Sequence, residues 1–559
     1  MKNLKWWQKT IAYQIYPKSF ADTTDSGTGD LQGIINHLDY LKSLNVGAIW
    51  LTPIYPSPQV DNGYDISDYT AIDPAYGTME DFERLISEAD KRNIKIVMDL
   101  VYNHSSDKHK WFLESKSSRD NAKADWYIWR DPKFDGSEPT NWRSIFGGSA
   151  WTYCEERKQY YLHTFAKEQP DLNWENPDVR QALYDAANFW IDKGVGGFRI
   201  DAIVYIKKPK IFIDGKPDSV DGTFSIHNAI ANTAGILDFL YEFRQKVFDG
   251  HDIFTVAEAN AVKPEELKFW VGEHGAFDML FEFSHTNVMF PTGEVWHSWK
   301  TWKLTKLKAA LTESQIATAN NGWYPIYFEN HDKPRCINNF FNVEFKTRNE
   351  ELLAGKAIAT ILLTLRGTPF IYQGQELGYT NTAWDSIDCY NDISSIDQYN
   401  WAIRDGFSAS EALKFVHKFS RDNARTPMQW STQLNAGFST AKTWLPVHDD
   451  YKKVNVEVED KDADSILNYF RRLIEIRQNS EVLIFGDYEE ILTDDENIYA
   501  FARSFEDKKI YTVINFTMQS IKFNADFLKD SKLIISNYGN IQAENLRPLE
   551  AAVLIHNSE

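Results

Sequence analysis

Hydrophobic positions in the first two thirds of the chain alternate between two spacings. Short β-branched runs, typical of buried strands, are followed by stretches in which apolar residues recur every three or four positions, as on one face of a helix. The predicted strands lie at 12–16, 46–51, 94–101, 195–200, 253–257, 277–281, 324–328 and 368–372. Eight strands, most of them followed by a helix, predict an α/β fold of the (β/α)8 barrel type.

An open, doubly wound sheet is the alternative α/β architecture. That fold would place a glycine-rich phosphate-binding turn directly after its first strand. The segment Gly27-Thr28-Gly29 does not complete such a turn. The pattern therefore favours the barrel.

Two stretches depart from this alternation. Residues 104–172 are too long for an ordinary strand-to-helix loop and are rich in tryptophan, so we interpret them as a small domain inserted over the C-terminal face of the barrel. After a helix at 466–476, alternating strands predict a closing antiparallel β domain. These strands lie at 498–505, 510–516, 532–536 and 551–555. The predicted division is barrel at 1–103, inserted B domain at 104–172, remaining barrel at 173–482 and C-terminal domain at 483–559.

Composition narrows the class of protein. Acidic residues number 80 against 60 basic ones, a formal net charge of −20, which argues against nucleic acid as a partner because that binding depends on clustered lysine and arginine. No run approaches the roughly 20 apolar residues of a membrane span, and residues 1–9 lack the apolar core of a secretory signal. Cys154, Cys336 and Cys389 fit neither a disulfide framework nor a metal-binding pair. We expect a cytoplasmic monomer with no membrane partner.

Charged side chains stand at the ends of several predicted strands. Arg199 and Asp201 end the fourth strand, Glu258 ends the fifth, and Asp332 follows the seventh. Because the carboxyl ends of barrel strands face one mouth, these groups should converge. Carboxylates this close disfavour joint ionisation, so one becomes an acid while another stays ionised. Glycoside cleavage needs such a pair, because one carboxylic acid protonates the leaving oxygen while an ionised carboxylate faces the sugar carbon.

Two other interpretations apply to such residues. A single carboxylate at a strand end is more often a helix cap or a loop tie, although three on different strands are hard to explain that way. A metal site ranks below sugar chemistry, because His104 and His331 stand beside carboxylates without a histidine or cysteine at ligand spacing.

The segments around these residues resemble the short conserved regions of the α-amylase superfamily, glycoside hydrolase family 13. They are most similar to its oligo-1,6-glucosidase and α-glucosidase branch, in order and over essentially the whole chain. The supporting segments are DNGYDISDY at 61–69, QPDLNW at 169–174, YQGQE at 372–376 and RDNARTPMQW at 421–430. The resemblance implies a TIM barrel with an inserted B domain and a C-terminal β-sandwich, which agrees with the architecture predicted from the pattern.

The resemblance also implies a role for each matching residue. Asp201 would be the nucleophile that forms a covalent β-glucosyl intermediate, Glu258 the general acid that then activates water, and Asp332 a ligand of sugar hydroxyls. Arg199 would keep Asp201 ionised and oriented. The other implied substrate-binding residues are His104 and His331 as hydrogen-bond donors, Asp61 and Arg421 at the closed end of an exo-acting pocket, and Tyr64, Phe146 and Phe165 as stacking partners. For Phe146 and Phe165, packing inside the B domain is an equal alternative.

The first β–α loop departs from the family pattern for a cation site. Some relatives bind Ca²⁺ there through alternating aspartate and asparagine oxygens. Asp22 and Asp30 match that pattern, but Thr24 and Ser26 replace the middle ligands. Ca²⁺ is favoured by carboxylate charge, so we expect that no metal or other cofactor is required.

Two further departures concern linkage specificity. Relatives that favour α-1,6 bonds typically have valine after the nucleophile and an Asp-Ile-Glu segment after strand eight, whereas this chain has Ala202 and Ser394. The smaller Ala202 opens room beside the leaving sugar, and Ser394 removes a carboxylate contact. We therefore predict activity on α-1,4, α-1,2 or mixed linkages rather than strict isomaltose specificity.

Taken with the resemblance, the sequence predicts a retaining, exo-acting α-glucosidase that releases terminal glucose from short oligosaccharides or disaccharides. A sucrose isomerase or transglucosidase shares the same intermediate, and a trehalose-6-phosphate hydrolase is a further variant. Outside the enzymes, the alternative is a sugar-binding relative without activity. Such proteins usually lose part of the carboxylate trio, which this chain retains.

Overall fold

The computed structural model describes residues 5–219, 221–291, 295–319, 322–523, 529–542 and 544–557. These residues form two compact units. The first comprises Met1–Ile49, Glu88–Ile94 and Phe283–Glu559, and the second comprises Trp50–Ser87 and Lys95–Glu282. The strand Ala48–Leu51 contributes residues to both units.

Strands and helices are numbered here in chain order. The strands are β1 Ala12–Ile15, β2 Ala48–Leu51, β3 Lys95–Val101, β4 Trp129–Arg130, β5 Trp142–Arg143, β6 Trp151–Cys154, β7 Gln159–Leu162, β8 Gly197–Asp201, β9 Phe224–Ser225, β10 Phe254–Glu258, β11 Met279–Phe281, β12 Pro325–Ile326, β13 Thr368–Tyr372, β14 Asp487–Ile491, β15 Ile498–Phe505, β16 Lys508–Asn515, β17 Ile521–Lys522, β18 Lys532–Ser536, β19 Asn545–Leu546 and β20 Ala551–Asn557. The helices are α1 Leu31–Asn36, α2 Leu38–Ser43, α3 Met79–Asp90, α4 Lys110–Ser117, α5 Pro177–Asp192, α6 Ile226–Ile230, α7 Ile236–Phe243, α8 Leu267–Trp270, α9 Ser284–Met289, α10 Leu304–Ala317, α11 Arg348–Thr364, α12 Ile393–Arg404, α13 Ala409–Phe419, α14 Asp422–Arg425, α15 Val456–Lys461, α16 Ile466–Gln478 and α17 Glu481–Phe485.

The barrel strands belong to one sheet. Eight of the described strands are hydrogen-bonded in the order β11-β10-β8-β3-β2-β1-β13-β12. In the second unit β3, β8, β10 and β11 pair in parallel, and in the first unit β1, β13 and β12 do so. The predicted (β/α)8 barrel fold class is confirmed, together with its C-terminal antiparallel sheet.

Two predicted strand ends are confirmed, and a third strand is shorter than predicted. β8 ends at Asp201 and β10 at Glu258, so both carboxylates are the last residues of strands and share the rigidity of the sheet. The seventh barrel strand is only Pro325–Ile326, shorter than the predicted 324–328. It begins at a proline, which has no N–H to donate to a strand ladder.

The stretch predicted as a B domain contains α4 and a small antiparallel sheet with the order β4-β7-β6. Its core is aromatic: the Phe112 ring packs against Trp129 and Tyr161, with centroids 5.7 and 5.1 Å away. β5 pairs in parallel with β9, which lies beyond the predicted limit at 172. The predicted domain boundaries stay a prediction.

The C-terminal strands form a five-stranded sheet with the order β14-β15-β16-β20-β18. The strand β14 was not predicted, because its half-exposed DYEEI sequence lacks apolar alternation.

Helix α11 lies almost entirely in the core, and its last carbonyls accept hydrogen bonds from two buried arginines. Arg477 donates to Leu363 and Leu365 at 2.8 Å, and Arg503 donates to Thr364 at 2.7 Å. These contacts satisfy a helix end that precedes β13.

Within the described ranges, no helix has both the length and the apolar character needed to cross a membrane.

Candidate active site

The predicted nucleophile and acid are joined by Arg199. Strand β8 places Arg199 and Asp201 two residues apart, hence on one face of the sheet. The neighbouring strands supply Asp99, which lies in register with Arg199, and Glu258 at the end of β10. Arg199 Nη1 donates to Asp99 Oδ1 at 2.8 Å and to Asp201 Oδ1 at 2.6 Å, and Nη2 donates to Glu258. Because a guanidinium is only a few atoms wide, these carboxylates lie close together.

Charge is unbalanced in this cluster. Burial alone would lower the pKa of Arg199, but Asp99 and Asp201 outweigh it and raise that pKa well above its usual value. The guanidinium therefore stays charged while several carboxylates compete for it. Such competition favours one carboxylate holding a proton while another stays ionised.

Asp99 was not among the predicted site residues, although it lies within the apolar run of the third strand. Its side chain is fully buried, and it also accepts hydrogen bonds from Trp50 Nε1 at 3.3 Å and Tyr64 Oη at 3.0 Å. A buried carboxylate needs this many donors to offset its desolvation. The sequence signal that could have identified Asp99 is an acidic residue inside an otherwise apolar strand.

A second group of predicted residues is linked through Gln169. Gln169 Nε2 donates to Asp61 Oδ2 at 3.1 Å and lies 3.1 Å from His104 Nε2. Burial lowers the pKa of His104 to about 4, so the imidazole is neutral at neutral pH. Tyr64 is buried, and its carbonyl lies 3.3 Å from His104 Nε2. A neutral imidazole can donate a hydrogen bond to a sugar hydroxyl, as predicted for His104.

The predicted aromatic residues pack on one another. The Phe165 ring contacts Phe146, His104 and Tyr205, with centroids 5.5, 5.2 and 5.9 Å away. Phe146 and Phe165 are half-buried. Both interpretations of these rings, sugar stacking and core packing, are compatible with that exposure.

The first unit contains a separate charged cluster around Asp332. Asp332 Oδ1 accepts hydrogen bonds from Arg421 Nη1 and Arg425 Nη2, each at 3.1 Å, and Oδ2 lies 3.1 Å from His331 Nε2. Burial would raise the pKa of Asp332, but His331, Arg421 and Arg425 together bring it well below its usual range. Asp332 is therefore ionised at neutral pH.

Asp392 binds Arg421, one of the two arginines that contact Asp332. It is fully buried, accepts from Arg421 Nε at 2.8 Å, and caps helix α12 through Ser394 N at 3.3 Å. Neither Asp392 nor Arg425 was predicted as a site residue. Arg425 follows Arg421 by one helical turn in the RDNAR segment, and this spacing is the sequence signal that could have identified Arg425. The predicted pairing of Arg421 with Asp61 involves both units and stays a prediction.

In the loop that matches the family's cation site, the two aspartate carboxylates accept hydrogen bonds from neighbouring groups. Asp22 accepts from Thr24 N at 2.9 Å, Gly27 N at 2.7 Å and Ser439 Oγ at 2.6 Å. Burial would raise the pKa of Asp22, but these donors lower it. Asp30 accepts from Gly33 N at 2.7 Å as the cap of α1. The Asp22 and Asp30 carboxylates are therefore engaged by N–H and O–H donors of the chain itself.

A buried ammonium group connects β3 to the inserted segment. Lys208 Nζ lies 2.9 Å from Asp171 Oδ2 and 2.9 Å from Asn103 Oδ1. Asn103 in turn donates to Asp171 Oδ1 at 3.1 Å. This contact fixes the residue that precedes His104, and the sequence analysis did not predict it.

Paired carboxylates at the ends of parallel barrel strands are the arrangement that a glycoside hydrolase uses. A family model described as the alpha amylase catalytic domain matches residues 14–486. The chain is 42% identical to an oligo-1,6-glucosidase from Bacillus cereus over 561 residues, covering 98% of this chain and 99% of that protein. The chain belongs to the α-amylase family and is an α-glucosidase of that family.

Two solved structures are similar over nearly the full length. A trehalose-6-phosphate hydrolase from Bacillus licheniformis has a TM-score of 0.92 at 40% identity, covering 99% of this chain and 100% of that chain. An isomaltulose synthase from Erwinia rhapontici has a TM-score of 0.94 at 38% identity, covering 100% of both chains. The family is shared across different activities, so substrate preference depends on individual residues.

Proposed function

We propose that this α-glucosidase is retaining and exo-acting, with Asp201 as nucleophile and Glu258 as general acid and base. The observation that supports this proposal is the Arg199 guanidinium, which binds both carboxylates through its two terminal nitrogens. Retaining enzymes need their two carboxyl groups about 5–5.5 Å apart. A shared guanidinium is compatible with that separation.

The reaction proceeds in two displacements. In the first, Glu258 gives its proton to the glycosidic oxygen while Asp201 Oδ forms a bond to the anomeric carbon, and the leaving sugar departs. In the second, Glu258 takes a proton from water, the water oxygen attacks the anomeric carbon, and the bond to Asp201 breaks. Glu258 stays deprotonated between these steps and regains its proton from the attacking water, and it is more exposed than Asp201, which is largely buried against Arg199.

The non-reducing glucose is proposed to bind against Asp61, His104 and Tyr64. Asp61 and His104 are already oriented by Gln169. Asp332 and His331 keep the sugar-binding role that their sequence motif implies, and Asp332 supplies a fixed negative charge that favours an oxocarbenium-like ring. Phe146 and Phe165 are proposed to line the same pocket.

Linkage preference is proposed to follow from Ala202 and Ser394. Ala202 directly follows the nucleophile and has a left-handed backbone, with φ of 47°. A β-branched residue is strongly disfavoured at that φ, so alanine both relieves strain and leaves room for the leaving sugar. Ser394 lies in the first turn of α12 and brings no charge. We propose activity on α-1,4, α-1,2 or mixed linkages.

The proposal includes no metal or cofactor. Asp22 and Asp30 are engaged by backbone and hydroxyl donors, and Lys208 supplies a positive charge among the oxygens of Asn103 and Asp171. A cytoplasmic location is proposed as well. It is supported by three free thiols, which are typical of a reducing compartment. We further propose a monomer acting on small oligosaccharides.

A panel of isomaltose, maltose, sucrose, trehalose and trehalose 6-phosphate tests this proposal. We expect glucose release from maltose or sucrose at rates at least comparable to that from isomaltose. A strong preference for isomaltose would contradict the linkage proposal. Rearranged disaccharide from sucrose would indicate an isomerase, and cleavage restricted to the phosphorylated sugar would indicate a phosphate-specific hydrolase.

A further inference from the structure

Lys208 is a buried lysine that the proposed mechanism does not use. Its ammonium group lies within hydrogen-bond distance of three oxygens: Asp171 Oδ2 at 2.9 Å, Asn103 Oδ1 at 2.9 Å and the Tyr205 carbonyl at 2.5 Å. An ammonium has three N–H groups and no acceptor, so these contacts use its whole donor capacity. Lys208 therefore ties its own loop to Asp171 and to the residues that follow β3.

The groups on either side of Asn103 determine which way its amide points. Lys208 can only donate, so it faces the amide oxygen, and the Asp171 carboxylate can only accept, so it faces the nitrogen. Asn103 Nδ2 accordingly lies 3.1 Å from Asp171 Oδ1 and 3.3 Å from His104 Nδ1. Because an amide nitrogen has two N–H groups, one is directed to Asp171 and the other to the His104 ring.

The contacts of His104 then select one tautomer. Burial lowers the pKa of His104 to about 4, so the ring is neutral and only one of its nitrogens accepts. Nε2 lies 3.3 Å from the Tyr64 carbonyl, which is an acceptor, and 3.1 Å from Gln169 Nε2, which is a donor. A proton on Nε2 makes hydrogen bonds of the Asn103 and Tyr64 contacts, whereas a proton on Nδ1 does so only for the Gln169 contact. The orientation of Asn103 thus favours the proton on Nε2.

Asp171 is held by contacts that do not involve the ring. It accepts from Thr164 N at 2.9 Å and from Thr164 Oγ1 at 2.5 Å, and its backbone forms an isolated β-bridge with His104. Asn103, His104 and Asp171 are each at most 1% exposed. Buried polar groups depend on such internal partners, so the arrangement is set by the chain itself.

We propose that Lys208 is a positioning residue which, through Asn103, keeps the proton of His104 on Nε2, so that Nε2–H serves as the hydrogen-bond donor to the bound glucose. Asp171 is the counter-ion that holds the nitrogen side of the same amide. The inference rests on the proposed function, because His104 acts on substrate only if glucose binds beside it. The partner of one imidazole nitrogen decides what the other nitrogen can do.

A kinetic test asks whether Lys208 and Asn103 act through His104. Asn103→Leu keeps the size of the side chain and leaves Lys208 paired with Asp171, whereas Lys208→Met removes the ammonium. Each is expected to raise KM for maltose and to lower kcat/KM about 10-fold, the effect of one lost hydrogen bond. In a His104→Ala background the same substitutions should change kcat/KM less than about twofold. Losses of equal size in both backgrounds would overturn the inference.

The tautomer can also be measured without turnover. Histidine-selective ¹⁵N labelling and solid-state NMR distinguish the two ring nitrogens, and the His104 signals are identified by their loss in His104→Ala. The proton should be on Nε2 in the wild-type chain, and Asn103→Leu should shift it toward Nδ1, where Nε2 accepts from Gln169. A wild-type ring protonated on Nδ1, or a tautomer unchanged in Asn103→Leu, would overturn the inference. A wild-type chain that hydrolyses neither maltose nor p-nitrophenyl α-glucoside would instead reject the proposed function.

Lys207→Met is the matched control. Lys207 is the adjacent lysine and pairs with Glu175 at 2.7 Å, without a contact to Asp171 or Asn103 in the part of the chain that the structure describes. It should leave KM, kcat/KM and the tautomer unchanged, and a loss equal to that of Lys208→Met would contradict a specific role for Lys208. Lys208→Met leaves Asp171 buried without its counter-ion, so if that variant does not fold, Asn103→Leu alone decides the test.

Discussion

The charged clusters around Arg199 and around Asp332 differ in how many cations each carboxylate contacts. In the described part of the chain, the Arg199 guanidinium is shared by Asp99, Asp201 and Glu258. Asp332, by contrast, faces two guanidinium groups and an imidazole. Where several carboxylates share one cation, a proton is readily held, and where one carboxylate contacts several cations, it stays ionised.

This difference separates two tasks that glycoside cleavage requires. Proton donation and nucleophilic attack need carboxylates in different protonation states, which the Arg199 cluster allows. Stabilising a positively charged sugar ring needs a charge that does not titrate, and this is the role that we propose for Asp332. Each cluster can therefore be disturbed separately, with distinct consequences for kinetics.

The largest effect is expected from Asp201→Asn. The amide cannot form the glycosyl bond, so kcat should fall roughly 10⁴-fold, as for other nucleophile deletions. Steady-state hydrolysis of maltose measures it, with the thermal midpoint as a control for folding. Activity within tenfold of wild type would contradict the role of Asp201.

Arg199→Lys should have the next largest effect. The lysine keeps a positive charge but loses the planar fork that binds several carboxylates at once. Two charge-assisted hydrogen bonds contribute about 1.5–3 kcal/mol each, so kcat/KM should fall about 10²–10⁴-fold. Kinetics on the aryl glucoside check this. An unchanged kcat/KM would show that the shared guanidinium is dispensable.

Asp392→Asn tests the second cluster. Asparagine still caps α12 but holds Arg421 less firmly, so KM should rise about tenfold while kcat changes little, as expected for one weakened ionic contact. Ser395→Ala is the matched control, since Ser395 Oγ also binds Asp392, at 2.7 Å, without contacting the arginines in the described structure. Equal KM changes in the two variants would indicate loss of the helix cap instead.

The smallest effect concerns pH. The depressed pKa of Asp332 means that its charge, and the stability it contributes, persist above the unfolded-state pKa of about 3.9 and are lost only as the pH falls through the lower folded pKa. Asp392→Asn should therefore leave the acid limb of kcat/KM unchanged above about pH 5. Arg199→Lys should move that limb to higher pH, because the ionised nucleophile loses stabilisation. Measuring kcat/KM against pH for both variants tests this prediction. A shifted acid limb in Asp392→Asn would contradict the comparison of the two charged clusters.

Much of the fold was predictable because barrel strands and helices leave local periodic signals. The strand-end positions of Asp201 and Glu258 followed from the same signals. Strand β14 was not predicted because its sequence is polar, and β12, which begins with proline, is shorter than its predicted range. Local sequence does not show which residues share a hydrogen-bond partner.

The missed site residues illustrate this limit. Asp99 and Arg199 are a hundred positions apart, and Arg421 and Asp392 are 29 apart. Their contacts arise from strand register and loop packing, which a single sequence does not contain. The proposed catalytic carboxylates at the strand ends were predictable, but the residues that orient them were not.

Identification of the residue that carries the glucosyl intermediate tests the central claim most directly. A slow fluorinated glucosyl fluoride should label the chain, and peptide mass spectrometry should place the added sugar on Asp201. Label on Glu258, or no label together with release of the inverted anomer, would contradict the proposed mechanism.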